Sequence, residues 1–249
     1  YIHTFYQPKL ALRNFEEYTS SLDTIIYNGI HIVYSKEENI KSSVVTESNF
    51  IQPNELYNIT NVTRSIRNLS ALHSFRTVNI NFKEADIENN SDEKIIDCEI
   101  FLTPSTLQSF TVEVEGTNSS GNIGAAGNLI YQHRNLFKGA ENLDLRFKGA
   151  LETLKESYSS DFGNMIEVGT EMRVSFPKFI LPFKSDQFIK KYNPSTSVSV
   201  AYNFQRRPDY TRTIANISFG YNWKGNKYLS HIINPIELNF VKIPYKSDE

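Results

Sequence analysis

Hydrophobic positions along this chain change their spacing once, close to Pro104. Before that point strand-like and helix-like periods mix. Ile30, Ile32 and Tyr34 alternate with His31 and Val33, as side chains do on the two faces of a strand. Ile40, Val44 and Val45 predict a short helix. After Pro53, Ile59, Val62, Ile66 and Leu69 recur at spacings of three and four, which predicts a second helix with one apolar stripe. Residues 75–82 and 95–103 read as two strands. They are joined by the polar stretch EADIENNSDEK, whose Asn and Asp residues suit a long exposed hairpin loop. From Ile25 to Thr103 the order is therefore strand, helix, helix, strand, strand, a small α+β domain. Residues 1–22 sustain no period and contain Pro8, so they are expected to be a linker or the tail of a preceding module.

Beyond Pro104 the helical period disappears and period two takes over. Phe110, Val112 and Val114 oppose Thr111, Glu113 and Glu115. Leu143, Leu145 and Phe147 oppose Asp144, Arg146 and Lys148. The same alternation recurs around Ile166–Met172, Val198–Phe204, Ile217–Trp223 and Ile236–Phe240. Turn formers separate these segments at 118–122, Lys138-Gly139-Ala140, Arg207-Pro208-Asp209 and Lys224-Gly225-Asn226. Sequential strands with short connections predict an antiparallel meander of about seven strands from Leu107 onward. Several exceed the roughly 9–11 residues with which a tilted strand crosses a bilayer. Period alone leaves two readings open: a soluble sandwich that buries the apolar face, or a membrane barrel that turns it to lipid.

Composition narrows the function more than the fold. Aromatic residues are 13% of the 249, with 14 Tyr and 17 Phe against 2 Met, which favours strands. Lys and Arg number 26 against 28 Asp and Glu, so nothing marks a nucleic-acid partner. No run of 18 apolar residues predicts a transmembrane helix, but a barrel needs none. Cys98 is the only cysteine, which excludes an intrachain disulfide and a multi-cysteine metal site. It alternates with Asp97 and Glu99 and reads as a thiol facing a core. The five histidines lie in separate segments without metal-ligand spacing. No G-x-S-x-G elbow offers a hydrolytic serine. Glu113 and Glu115 share a strand face and could pair as acid and base, but they read as solvated charges. No cofactor and no enzymatic activity are expected.

Residues 112–150, VEVEGTNSSGNIGAAGNLIYQHRNLFKGAENLDLRFKGA, resemble the start of the barrel in the BamA/TamA-type surface-antigen superfamily of outer-membrane assembly factors. The likeness rests on a first strand ending in Glu115-Gly116, a glycine-containing second strand, Asn135-Leu136-Phe137 followed by Gly139 and Glu141, and an alternating third strand. Lys138-Gly139-Ala140 has less glycine than the family's usual turn. Upstream, Pro53, Tyr57, the helix from Ile59 to Leu69, and Phe75 leading into Val78, Ile80 and Phe82 resemble a POTRA domain. Downstream, SFPKFILPF at 175–183 and GYNWKGNKYLSHIINPIELNFV at 220–241 are similar to barrel segments. The family's Arg-Gly-aromatic motif of an inward-folded loop has no match. The chain is therefore expected to be a fragment, with any secretory leader removed or outside it.

The resemblance implies a mainly β protein: residues 1–22 a linker or the tail of a preceding module, 23–105 a POTRA domain, and 106–249 the N-terminal part of a transmembrane β-barrel in the cell outer membrane, with the POTRA domain in the periplasm. It implies assembly or translocation of other proteins rather than catalysis. The first barrel strand, Ser109, Phe110, Thr111, Val112, Glu113, Val114, Glu115 and Gly116, is the expected seam through which client strands pair. The POTRA strand residues Phe75, Thr77, Val78, Asn79, Ile80 and Phe82 form a second candidate edge for β-augmentation, though the pattern fits an ordinary sheet edge equally well. Implied partners are unfolded outer-membrane client proteins, the lipid bilayer, and periplasmic or lipoprotein accessory subunits. Two alternatives stand beside this: a two-partner secretion pore exporting a dedicated partner, and a soluble cell-surface β-sandwich that binds a ligand.

Overall fold

The computed structural model describes residues 1–4, 22–35, 39–85, 95–119, 122–153, 164–180, 186–226 and 228–246. They divide into two units, one comprising 1–107 with 134–140, the other 108–133 with 141–249.

The first unit contains β1 (Ile2–His3), β2 (Leu22–Tyr27), β3 (Ile30–Ser35), α1 (Ser42–Ser48), α2 (Ile59–Ala71), β4 (Phe75–Glu84) and β5 (Ile96–Pro104). Its sheet has the order β2-β3-β1-β5-β4. Asn28 and Gly29 both take positive φ, 50° and 76°, and close β2 onto β3 as a two-residue hairpin whose twist suits the strands. Asn58 caps α2, its Oδ1 accepting the Thr60 N–H at 2.9 Å. Ser65 is fully buried on α2. It donates to the Asn61 carbonyl at 2.9 Å and accepts from the Phe50 N–H at 2.7 Å, so the hydroxyl is satisfied and fastens the helix to the segment after α1. Ile2, Ile32, Val45, Leu69, Ile100 and Leu102 form the centre of the core.

Three expectations need correction here. The linker expected over 1–22 is structured at both ends: Ile2, 1% exposed, pairs in parallel with Ile32 and Ile100, and Leu22 opens β2. Two residues cannot display a period, and this strand exists because two neighbours hold it. Residues 5–21 lie outside those described. The single strand expected near Ile30 is the second arm of a hairpin. The apolar stripe of α2 is rotated: Ile59 is 61% exposed and Ile66 is exposed too, whereas Val62, Ser65, Asn68 and Leu69 face inward. A count of apolar positions misses Ser65 because its hydroxyl is satisfied locally. Most of the loop expected between β4 and β5, 86–94, is not among the described residues.

The second unit contains β6 (Gln108–Ser119), β7 (Asn122–Arg134), β8 (Asn142–Thr153), β9 (Asn164–Phe176), α3 (Asp186–Tyr192), β10 (Ser195–Arg206), β11 (Tyr210–Lys224) and β12 (Ser230–Lys246). The seven strands form one antiparallel sheet in sequence order from β6 to β12, as the meander pattern predicted. They run 12 to 17 residues. β6 and β12 are its two edges, and no closed barrel and no second packed sheet occurs among the described residues. Pro235 lies in β12 beside a register shift opposite Phe219 and Tyr221, an edge position where a missing N–H is tolerated. The helix α3 was not anticipated.

The connection from β7 to β8 packs within the first unit. Ala140 is buried in that unit's core. Asn135 Oδ1 accepts the Ala140 N–H at 2.9 Å and its Nδ2 donates to the Asn39 carbonyl at 2.5 Å, while the Lys41 N–H donates to the Lys138 carbonyl at 2.8 Å. Asn135, Lys138 and Ala140 all hold positive φ, an unusual concentration for non-glycine residues.

Candidate functional site

Strand register sorts the second unit's sheet into two chemically different faces. One face carries rows of apolar residues directly opposite each other: Leu145, Met172, Val200, Ile217 and Leu238 across β8 to β12, flanked by Leu143, Val174, Val198, Phe219 and Ile236. Between these two rows the other face carries Asp144, Arg173, Ser199, Ser218 and Glu237, and the next row on that face reads Arg146, Glu171, Ala201, Asn216 and Asn239.

Hydrogen bonds concentrate on the polar face. Glu167 Oε1 accepts from Lys148 Nζ and Asn203 Nδ2, each at 2.9 Å. Gln132 Nε2 donates to Asp144 Oδ1 at 2.7 Å, and Asn216 Nδ2 to Asn239 Oδ1 at 2.6 Å. Gln205 Oε1 accepts from Arg212 at 2.9 Å and from the Tyr210 hydroxyl at 3.2 Å.

The apolar face, by contrast, stays open. Val200 and Ile217 are each 47% exposed, and Val168, Met172, Leu238 and Phe240 are exposed as well. Among the described residues only Leu143, Met165 and Tyr221 of this unit join the buried hydrophobic set. Fully burying a Val, Leu, Ile, Phe or Met side chain is worth about 1.5–3 kcal/mol. With roughly ten of them about half uncovered, the face forfeits about 8–15 kcal/mol, as much as the roughly 5–15 kcal/mol by which a whole domain is stable. The face needs an apolar cover.

One end of this face is already covered. In the β9–β10 connection, residues 177–180 and 186–194 lay Phe179 and Phe188 against Tyr221 and Trp223 at ring separations of 4.8 and 5.5 Å. Thr196 is fully buried beneath it, donating to the Lys178 carbonyl at 2.8 Å and accepting from the Ile180 N–H at 2.9 Å. The Tyr221 hydroxyl donates to the Ile180 carbonyl at 2.8 Å.

The sequence-predicted first strand falls at a sheet edge. Ser109 to Gly116 lie within β6 and pair only with β7 among the described residues, from Ser109↔Gln132 to Gly116↔Ala125. Phe110, Val112 and Val114 are the exposed apolar side chains, Val114 at 82%; Thr111, Glu113 and Glu115 point to the other face. Glu113 accepts from Asn128 Nδ2 at 3.2 Å, and among the described residues both carboxylates sit on an exposed strand face. The other candidate strand, β4, is also an edge. Phe75 is buried, Val78, Ile80 and Phe82 are half-buried towards the core, and Thr77 and Asn79 are exposed. The two sets belong to different sheets.

A groove of about 700 Å³ opens in the first unit, lined by Tyr1, Leu56, Tyr57, Phe82, Ile96 and Cys98 among others. Cys98 packs partly against the core, and burial pushes its thiol pKa up, the opposite of nucleophilic activation. Burial pushes the His3 imidazole down, against the opposing influence of Glu99. No group of three or more metal-ligating side chains is present among the described residues.

No protein-family model and no curated protein matches the sequence. Solved structures do match. The chain covers 58% and 52% of two such solved chains and so spans little more than half of either. In structure it is similar to BamA from Haemophilus ducreyi lacking POTRA domains 1–3, at 13% identity and a TM-score of 0.36 over 94% of this chain, and to CdiB from Acinetobacter baumannii, at 9% identity and a TM-score of 0.38 over 96% of it.

Proposed function

We propose that this chain is the membrane-proximal POTRA domain and the first seven strands of the barrel of an outer-membrane assembly factor. The observation that carries the reading is the inverted sheet, whose polar face is hydrogen-bonded while its apolar face is exposed in register across five strands. A soluble sandwich buries that face. A barrel wall turns it to lipid, which supplies the missing cover, and keeps the polar network on the lumen side.

In lipid each unsatisfied backbone group costs several kcal/mol, so β6 and β12 cannot remain open edges there. Further strands would have to meet them. The strand β6 is long and, among the described residues, bordered on one side only, which suits it to lend its outer N–H and C=O groups to an incoming client strand. In this reading no side chain performs chemistry: the POTRA domain holds unfolded clients in the periplasm, and β6 templates their pairing.

The test is photocrosslinking in the native membrane protein, with a photoreactive residue at Thr111 in β6 or at Asn216 in β11. Crosslinks to assembling barrel proteins from β6 and none from β11 are expected, together with faster client folding into liposomes that contain the protein. Ion conduction without faster folding would favour the secretion pore instead. Absence of both would leave neither reading standing.

A further inference from the structure

We propose that residues 177–180 and 186–194 of the β9–β10 connection, with α3, are an interfacial anchor that seats on the headgroup and upper acyl region of a phospholipid bilayer. The proposal rests on the lipid-facing reading of the sheet. In an antiparallel meander the β7–β8, β9–β10 and β11–β12 connections share one end of the sheet, where barrels of this kind use short turns. Here the β11–β12 connection spans only residues 225–229, whereas β9–β10 carries a helix of its own.

That helix lies on the apolar face. Thr196, Tyr221 and Trp223 continue the parity of Val198, Val200, Ile217 and Phe219, and they are the residues the connection touches. The rings form a continuous cluster: Phe188 meets Phe179, Tyr192 and Trp223, and Trp223 stacks on His231 at 5.1 Å. Aromatic rings with a polar edge concentrate at bilayer interfaces, where one part of the ring is apolar and the other wet. The sequence DQFIKKY alternates the same way, with Phe188, Ile189 and Tyr192 among charged residues. Lys191 is exposed, its ammonium 5.0 Å from the centre of the Tyr192 ring, placed as a cation that can reach lipid phosphates while its stem stays in the apolar zone.

The cluster thus ends the purely aliphatic part of the face. Above it, Val200, Ile217 and Leu238 are exposed among the described residues; at its level the protein covers itself with aromatic rings. A chain segment hydrogen-bonded to the sheet through Thr196 and Tyr221 cannot slide along it, so it fixes how deep the strands sit.

Nitroxide labels in a Cys98→Ser background of the full protein in phosphatidylcholine liposomes test this, with collisions measured against oxygen and against an aqueous nickel complex. Ile217 should favour oxygen strongly, Glu55 should favour nickel, and Ile180 should fall between them. Ile180 matching Glu55, or matching Ile217, overturns the anchor while leaving the lipid-facing sheet intact. Ile217 matching Glu55 removes the lipid-facing sheet itself. Independently, Trp223 is the only tryptophan, so Phe188→Ala should shift its emission to longer wavelength; an unchanged spectrum would show that α3 does not pack there.

Discussion

Val200 and Ile217 face each other directly across β10 and β11, and each leaves nearly half of its surface uncovered. Neighbouring Asn216, one residue along β11, is instead hydrogen-bonded on the opposite face. Ile217→Arg should therefore cost about 2–4 kcal/mol of stability in a bilayer, the range for a cation near the midplane of a barrel's lipid face. Asn216→Arg should cost well under half of that. Urea titration of the liposome-inserted protein, followed by heat-modifiable gel mobility, measures both. Equal costs would mean that the two faces meet the same solvent.

On the polar face, Lys148 and Asn203 share one oxygen of Glu167. The Lys148 side chain is 43% exposed, so solvent screening limits the pair. A double-mutant cycle with Lys148→Met and Glu167→Gln should give a coupling of about 0.5–1 kcal/mol, shrinking in high salt. A coupling insensitive to salt would place this face away from water.

The second unit was largely legible because six of its seven strands repeat one simple rule, and such runs with turn formers between them leave little freedom. The first unit was less so. β1 is two residues held by both neighbours, and nothing local encodes it. The Asn28-Gly29 pair that makes the β2–β3 hairpin is a readable turn signal, masked by the apolar residues that flank it from Ile25 to Tyr34. The placing of β6 and β4 at sheet edges depends on strand order, which periodicity does not contain. α3 left only a faint trace, Phe188 and Tyr192 four apart, and its role comes from Tyr221 and Trp223, some thirty residues away in sequence.

Asn135 and Ala140 yield a separate expectation. The Asn135 side chain answers one backbone donor and one backbone acceptor in a segment where three residues hold positive φ. Asn135→Ala leaves the buried Ala140 N–H without its acceptor, which should cost about 1–3 kcal/mol. Amide exchange at Val45 and Leu69, in the same core, should accelerate accordingly, while exchange at Val200 should not change. Unchanged protection at Val45 would mean that this connection is incidental to the core.

His3 sets a pH dependence whose sign follows from its surroundings. The imidazole stacks on Phe101 at 4.6 Å, and burial holds its pKa below the ordinary value of 6.5, with the Glu99 carboxylate opposing that shift. An unfolded chain therefore takes up a proton on His3 at a higher pH than the folded one does. Between the two values unfolding binds a proton, so stability rises with pH across that window. The contribution is complete above about 6.5, declines as pH falls below it, and levels off once the folded imidazole is also protonated. Replacing His3 with Gln should flatten this part of the curve, whereas Glu99→Gln should steepen it by removing the opposing charge. Both can be read as the pH dependence of amide exchange at Ile32 and Ile100, which flank β1. If His3→Gln and the parent chain lose protection in parallel on acidification, the imidazole is not the group responsible.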